Sequence, residues 1–275
     1  MLSSLKYQLV NKIEKIPKLQ IFIYNLLFHF TFLLPHEKDY HALKLLFKKN
    51  EKNAFLDIGG NIGLSTLGWR ALGFLSNKIF IFEPDSFLIN KYLLKIRSKV
   101  NRIFSCPFGL SNKKASKKLY MAFYKNKYFH FNNSFSKKYI LEKLKNNYPE
   151  KHKEFKIIQK NLELKKFDEL KFKSKVSFIK IDVEGYDHKV VEGMSKLIKK
   201  DKPVILIEYN ISNFAIIHNM LQKYYNCHIF DIDKKNFKRL TNVEIKLLIK
   251  GKIFESTYVK NSVNIFFIKK NFNFY

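Results

Sequence analysis

The sequence predicts an α/β protein built on a mostly parallel sheet with helices on both faces. Three observations lead there. From Ala54 onward, short apolar runs alternate with stretches of helical length. Four of those runs close on an acid, near Asp57 and at Glu83, Asp182 and Glu208. The first run passes directly into a glycine turn, Gly59-Gly60-Asn61-Ile62-Gly63. Strands that are apolar throughout need cover on both sides, which crossover helices supply.

In chain order, residues 1–50 read as an N-terminal helical segment rich in Leu, Phe and Lys, broken at Pro35, with a second helix over 36–49. The apolar run 19–34 contains Gln20, Asn25, His29 and Thr31. It falls short of the ~20 clean apolar residues that a spanning helix needs. No small-residue cleavage site follows it, so a secretion leader is not expected. The expectation is a helix packed on the domain; the alternative is a membrane-surface helix flanked by Lys12, Lys15 and Lys18.

Residues 51–275 are expected to form the main domain. Strands are predicted over 54–58, 78–83, 102–106, 176–182 and 203–208, with helices over 65–75, 86–97, 188–199 and 214–224 between and after them. Residues 227–232 and 262–269 are candidate last strands. Residues 112–172 interrupt the rhythm. They are Lys- and Asn-rich and too long for an ordinary connection, which suggests an insert acting as a substrate cap.

The formal charge is +29, from 52 basic and 23 acidic residues. Only Arg70, Arg97, Arg102 and Arg239 are arginine. Specific nucleic-acid recognition uses Arg for bidentate contacts, so a lysine excess of this kind reads as compositional bias with ordinary solvation. No specific nucleic-acid partner is expected; the remaining alternative is an anionic or membrane-proximal partner. Cys106 and Cys227 form neither a disulfide framework nor a metal-ligand pattern, consistent with a reducing, cytoplasmic setting.

Asp57 precedes a turn supplied with glycine at Gly59, Gly60 and Gly63. Such a turn lets backbone approach a ligand closely and aims helix N–H groups at it. The spacing is not G-x-G-x-x-G, because Asn61 and Leu64 stand third and sixth from Gly59. An acid two residues before the first glycine suits a ligand with a cationic, hydroxyl-bearing end, such as S-adenosylmethionine (SAM). Glu83, closing the second strand before Pro84, can accept both hydroxyls of a ribose.

Taken together, Phe55 to Gly63, Glu83-Pro84, Gly109-Leu110-Ser111, Lys180-Ile-Asp-Val-Glu-Gly185, Glu192-Gly193 and Pro203 to Glu208 resemble the FkbM-type SAM-dependent methyltransferases. The resemblance runs from about residue 38 to 210. It implies a Rossmann-like class I methyltransferase fold with a seven-stranded sheet and a last antiparallel strand. It also implies methyl transfer to oxygen, commonly on a sugar or natural-product hydroxyl. By position, Asp57, Gly59, Asn61 and Gly63 match the SAM turn and Glu83 the ribose acid. Gly60 stands where the family usually has Ala.

Methyl transfer asks the protein to align nucleophile, methyl and sulfur and to remove a proton. Asp182 or Glu184 is the expected base. The alternative is Mg²⁺ held by Asp182 and Glu208, which would acidify a bound hydroxyl. His130 and His188 read as surface or core histidines. Competing classes are an RNA or small-molecule methyltransferase, an NAD-dependent sugar enzyme and a non-catalytic basic binding module. Tyr40/Lys44 and Tyr139/Lys143 match the Tyr-x-x-x-Lys pattern of one dehydrogenase family, by chance in a chain so rich in both residues.

Overall fold

A computed structural model describes residues 16–31, 35, 37–252 and 264–275. Lys12 and Lys15 lie outside these residues. The chain divides into two compact units. Among the described residues, the smaller comprises 16–30 and 116–162, and the larger 31, 35, 37–115, 163–252 and 264–275.

In the larger unit, strands β1 (Ala54–Ile58), β2 (Lys78–Phe82), β3 (Ile103–Cys106), β8 (Val176–Ile181) and β9 (Val204–Glu208) lie parallel in the order β3-β2-β1-β8-β9. Strand β12 (Asn264–Lys269) joins β9 antiparallel, followed by β10 (Tyr225–Asp231) and β11 (Asn236–Arg239). Among the described residues the sheet therefore has eight strands, not seven. The eighth arises because the Asp231 carboxylate accepts the N–H groups of Asp233 and Lys234 at 3.1 and 3.0 Å. Lys235 then takes φ 51°, and the chain turns back as a hairpin.

Alternation along β1, β8 and β9 separates two cores. Ala54, Leu56, Ile58, Ile179, Ile181, Ile205 and Ile207 pack with Val190, Met194, Phe214 and Ile217 from helices on one face. On the other face, Phe55 and Phe178 meet Phe47 and Trp69 at ring-centroid distances of 5.2–6.0 Å. Asp57, Lys180 and Glu208 continue that second face toward the carboxyl ends of the strands.

Several helix boundaries differ from expectation. Residues 36–49, expected as one helix, give a 3₁₀ turn at Lys38–Ala42 and a single α-turn at Leu43–Leu46. The expected 188–199 helix is two, Asp187–Gly193 and Ser195–Asp201, broken at Met194. Gly193 lies so close to the Ser111 carbonyl that a Cβ would collide with it. This glycine is thus a packing requirement of the helix against β4 (Gly109–Ser111).

In the smaller unit, β5 (Ala115–Tyr124), β6 (Lys127–Ser134) and β7 (Phe155–Lys166, to Leu162) are ordered β7-β5-β6. Helix α1 (Pro17–Phe30) and a second helix, Lys137–Asn147, belong with them. The core of this unit is Ala122, Phe129, Ile140, Leu144 and Tyr148, with Ile21, Phe155 and Ile157 at its margin. Among the described residues no helix is long and apolar enough to cross a membrane.

Candidate active site

Strand β1 ends at Ile58, and the chain enters the turn with Gly59 at φ 80°. The N–H groups of Gly59 and Gly60 both donate to the Phe82 carbonyl, at 2.9 and 3.3 Å. Asn61 is left-handed at φ 49°, and Gly63 at φ 86° starts the helix Leu64–Ala71. A Cβ on Gly59 would collide with the Asp182 carbonyl oxygen, so this position needs glycine on two counts. The turn is thereby held against the ends of β2 and β8. Asp57 lies beneath it, fully buried, accepting the Thr66 hydroxyl at 2.8 Å. Its carboxyl carbon would be 3.5 Å from a Cβ on Gly60. Asp57 therefore ties the strand to the helix that follows the turn.

Glu83 follows β2 and is 7% exposed. One carboxylate oxygen accepts the Asn61 N–H and the other the Asp85 N–H, each at 2.9 Å. Burial outweighs these bonds and pushes the Glu83 carboxyl up to about 8, with the charges of Asp85 and Asp57 adding to the rise. The Asn61 side-chain oxygen is buried and accepts no hydrogen bond from the described residues. The glycine turn, Asn61 and Glu83 are thus brought together at the carboxyl ends of β1 and β2.

Asp182 stands one residue past β8, its backbone N–H donating to the Ile58 carbonyl at 3.0 Å. Its side chain is 35% exposed, and its Oδ2 lies 2.9 Å from Lys180 Nζ. Lys180 is buried, and strand register sets it beside Asp57. Burial alone would lower the Lys180 ammonium. The negative charges of Asp182, Glu37 and Asp57 prevail and hold it well above the ordinary lysine value. In the sequence, Lys180 stands in the Lys-Ile-Asp-Val-Glu-Gly motif with no role assigned to it. The available signal was strand alternation, which puts residues 180 and 182 on one face.

Glu184 is exposed, at φ 51°, and the next residue, Gly185, is also left-handed at φ 87°. The loop is fastened by buried Asp187 instead, which accepts the Val183 N–H at 3.2 Å and the Asn213 amide at 2.8 Å. Glu208 ends β9 opposite Asn264. The residue reaches solvent, yet the walls around its carboxyl desolvate it. With the charges of Asp182 and Glu184 nearby, it is pushed up to about 7. The Asn264 amide donates to both Glu37 and Asp39 at 3.1 Å. These two acids extend the rim and were also missed, because they precede the first strand. Burial raises Asp39 to about 6. Among the described residues, no group of three or more His, Cys, Asp or Glu is placed to hold a metal ion.

The model of the methyltransferase FkbM domain matches residues 57–227, more than half of the chain. Among solved structures, the chain is similar to methyltransferase FkbM from Methylobacillus flagellatus, with 13% identity and a TM-score of 0.46 over 90% of this chain and 60% of that one. It is also similar to precorrin-6y C5,15-methyltransferase from Geobacter metallireducens, with 10% identity and a TM-score of 0.41 over 84% of this chain and 85% of that one. A SAM-dependent O-methyltransferase from Thermotoga maritima gives 11% identity and a TM-score of 0.41 over 86% of this chain and 65% of that one. The chain thus spans about three fifths of the length of the first of these. No curated protein sequence matches it. From the glycine turn through β10, this chain belongs to the FkbM methyltransferase family.

Proposed function

We propose that this protein is a SAM-dependent O-methyltransferase acting on a hydroxyl of a saccharide, or of a polysaccharide or glycolipid precursor. The observation that carries the cofactor half is Glu83. Its two oxygens are already oriented by backbone N–H groups and keep lone pairs for a ribose diol. The residues fit SAM in two further ways. Asn61 offers a buried oxygen that needs a donor, and Gly59 leaves no side chain between the turn and Asp182. SAM, when bound, supplies a methyl group on a sulfonium that is already a good leaving group.

The chain's own residues have three tasks. Glu83 accepts the ribose hydroxyls. The turn from Gly59 to Gly63 brings backbone against the ligand. Asp182, with Oδ2 fixed by Lys180, presents Oδ1 to take the acceptor's proton. Glu208 supports a second reading of the base, because its carboxyl titrates near neutral pH, where a general base is most effective. The family resemblance and the hydroxyl chemistry that acids at the strand ends can serve support this acceptor class.

Calorimetry with S-adenosylhomocysteine and NAD tests the cofactor half. Binding of the former and none of the latter is expected. Glu83→Ala should weaken binding by ~1.5–3 kcal/mol, the range for a lost charged hydrogen bond. Tight NAD binding without S-adenosylhomocysteine binding would overturn the reading.

The raised Glu83 carboxyl adds a pH dependence. Ribose hydroxyls donate to the ionised form, so binding should lower this carboxyl and expel its proton. Affinity should rise with pH up to about 8 and level off above it. Calorimetry near neutral pH, in buffers of differing ionisation heat, should register release of up to about one proton. Affinity that falls over this range would remove Glu83 from the ribose.

A further inference from the structure

We infer that the outward face of α1, together with the lysine-rich unit that carries it, docks on an anionic lipid surface. The inward face of this helix is accounted for. Gln20 accepts the Tyr148 hydroxyl, Ile21 packs on the small core, and Tyr24 meets His130 edge-on at 5.7 Å. The opposite face carries Lys18, Phe22, Leu26 and Phe30 at intervals of four, one stripe of an α-helix. Phe22, Leu26 and Phe30 are 60%, 45% and 55% exposed. A helix that merely covers a core turns polar residues outward; this one turns two phenylalanines and a leucine.

Charge selects the partner. Residues 1–30 and 116–162 contain sixteen lysines and four glutamates, with no arginine or aspartate. The remainder of the chain has 36 basic residues against 19 acidic. Basic residues are about as frequent in both parts of the chain; what sets apart the part that exposes the apolar stripe is how few acids offset them, four glutamates against sixteen lysines. Lys118, Lys125, Lys127, Lys137, Lys138 and Lys145 are exposed there. Lysine ammoniums are point charges suited to a diffuse field of lipid phosphates. An apolar stripe on a short helix inserts among acyl chains while the helix lies in the membrane plane. Neither part is a strong anchor alone, and the pair together supplies the two signals that stable attachment requires.

Flotation of the full chain with vesicles decides the matter. The protein should float with phosphatidylcholine vesicles containing phosphatidylglycerol and not with phosphatidylcholine alone, and high salt should release it. Changing Phe22, Leu26 and Phe30 together to Ser should cut partitioning by at least about tenfold, given the apolar area withdrawn from lipid. These side chains point outward, so the melting transition should not move. If it does, Phe22→Trp provides an independent reading, a blue-shifted emission on adding the anionic vesicles. Equal binding by the triple variant, equal binding to neutral vesicles, or unshifted Trp emission would overturn the proposal. So would a concentration-dependent dimer that the triple variant abolishes, or tight RNA binding in place of vesicle binding.

Discussion

Replacing Asp182 by Asn should lower turnover by about 10²–10⁴-fold, the contribution of a positioned general base. Affinity for S-adenosylhomocysteine should hardly change, because the ribose acid and the glycine turn are untouched. The substitution is nearly isosteric, and Lys180 keeps an oxygen to bond. The loss then reports on proton removal and not on packing. Single-turnover methylation of the acceptor and calorimetry measure the two halves separately. Asp182→Asn with normal turnover on the true acceptor would leave Asp182 as a strand cap. Should Glu208→Gln carry the loss instead, with wild-type rates rising through about pH 7, the base is Glu208. Loss of wild-type activity to a chelator, and its return with Mg²⁺, would favour the metal reading for Asp182 and Glu208.

Lys180→Met should destabilise the fold by about 3 kcal/mol. Breaking a buried ion pair from one side costs ~3–5 kcal/mol, since the surviving charge keeps its desolvation penalty. The lower end applies because Asp182 is partly exposed and can recover water. For a chain of this size that is a fall of several degrees in the melting temperature. Part of the loss should return in the Lys180→Met/Asp182→Asn double variant, where the stranded charge has also gone. A single variant as stable as wild type would mean that the pair contributes nothing to folding.

The parallel sheet was legible because its strands are apolar and bounded by turn residues, as in Ala54–Ile58 and Val204–Glu208. The Glu83 end of the site was legible for a related reason. An acid closing a buried strand has few structural excuses. The strands β5 and β7 were not. In Ser116-Lys-Lys-Leu-Tyr and Lys156-Ile-Ile-Gln-Lys, a strand half-exposed in a lysine-rich chain dilutes its period-two pattern until it looks like a polar connection. Lys180 was obscure for a different reason. A lysine normally signals a solvated face, and only the neighbours brought by register, Asp57 and Asp182, make its burial tolerable. Glu37 and Asp39 reach the rim through Asn264, more than two hundred residues later in the chain, a separation that no local pattern records.

The smaller unit takes α1 from one end of its sequence span and its strands and second helix from the other, with Gln20 and Tyr148 joined across 128 positions. During synthesis, α1 leaves the ribosome long before Ala122, Phe129 and Ile157 exist to cover its inner face. Closing so long a loop is slow, and an uncovered apolar helix is open to aggregation in the interval. Any surface that holds α1 early would act as a chaperone for this unit. A rearranged chain that runs 116–162, a short linker, residues 1–115, a second linker and then 163–275 would make the same contacts local. Its refolding should be faster than that of the natural chain.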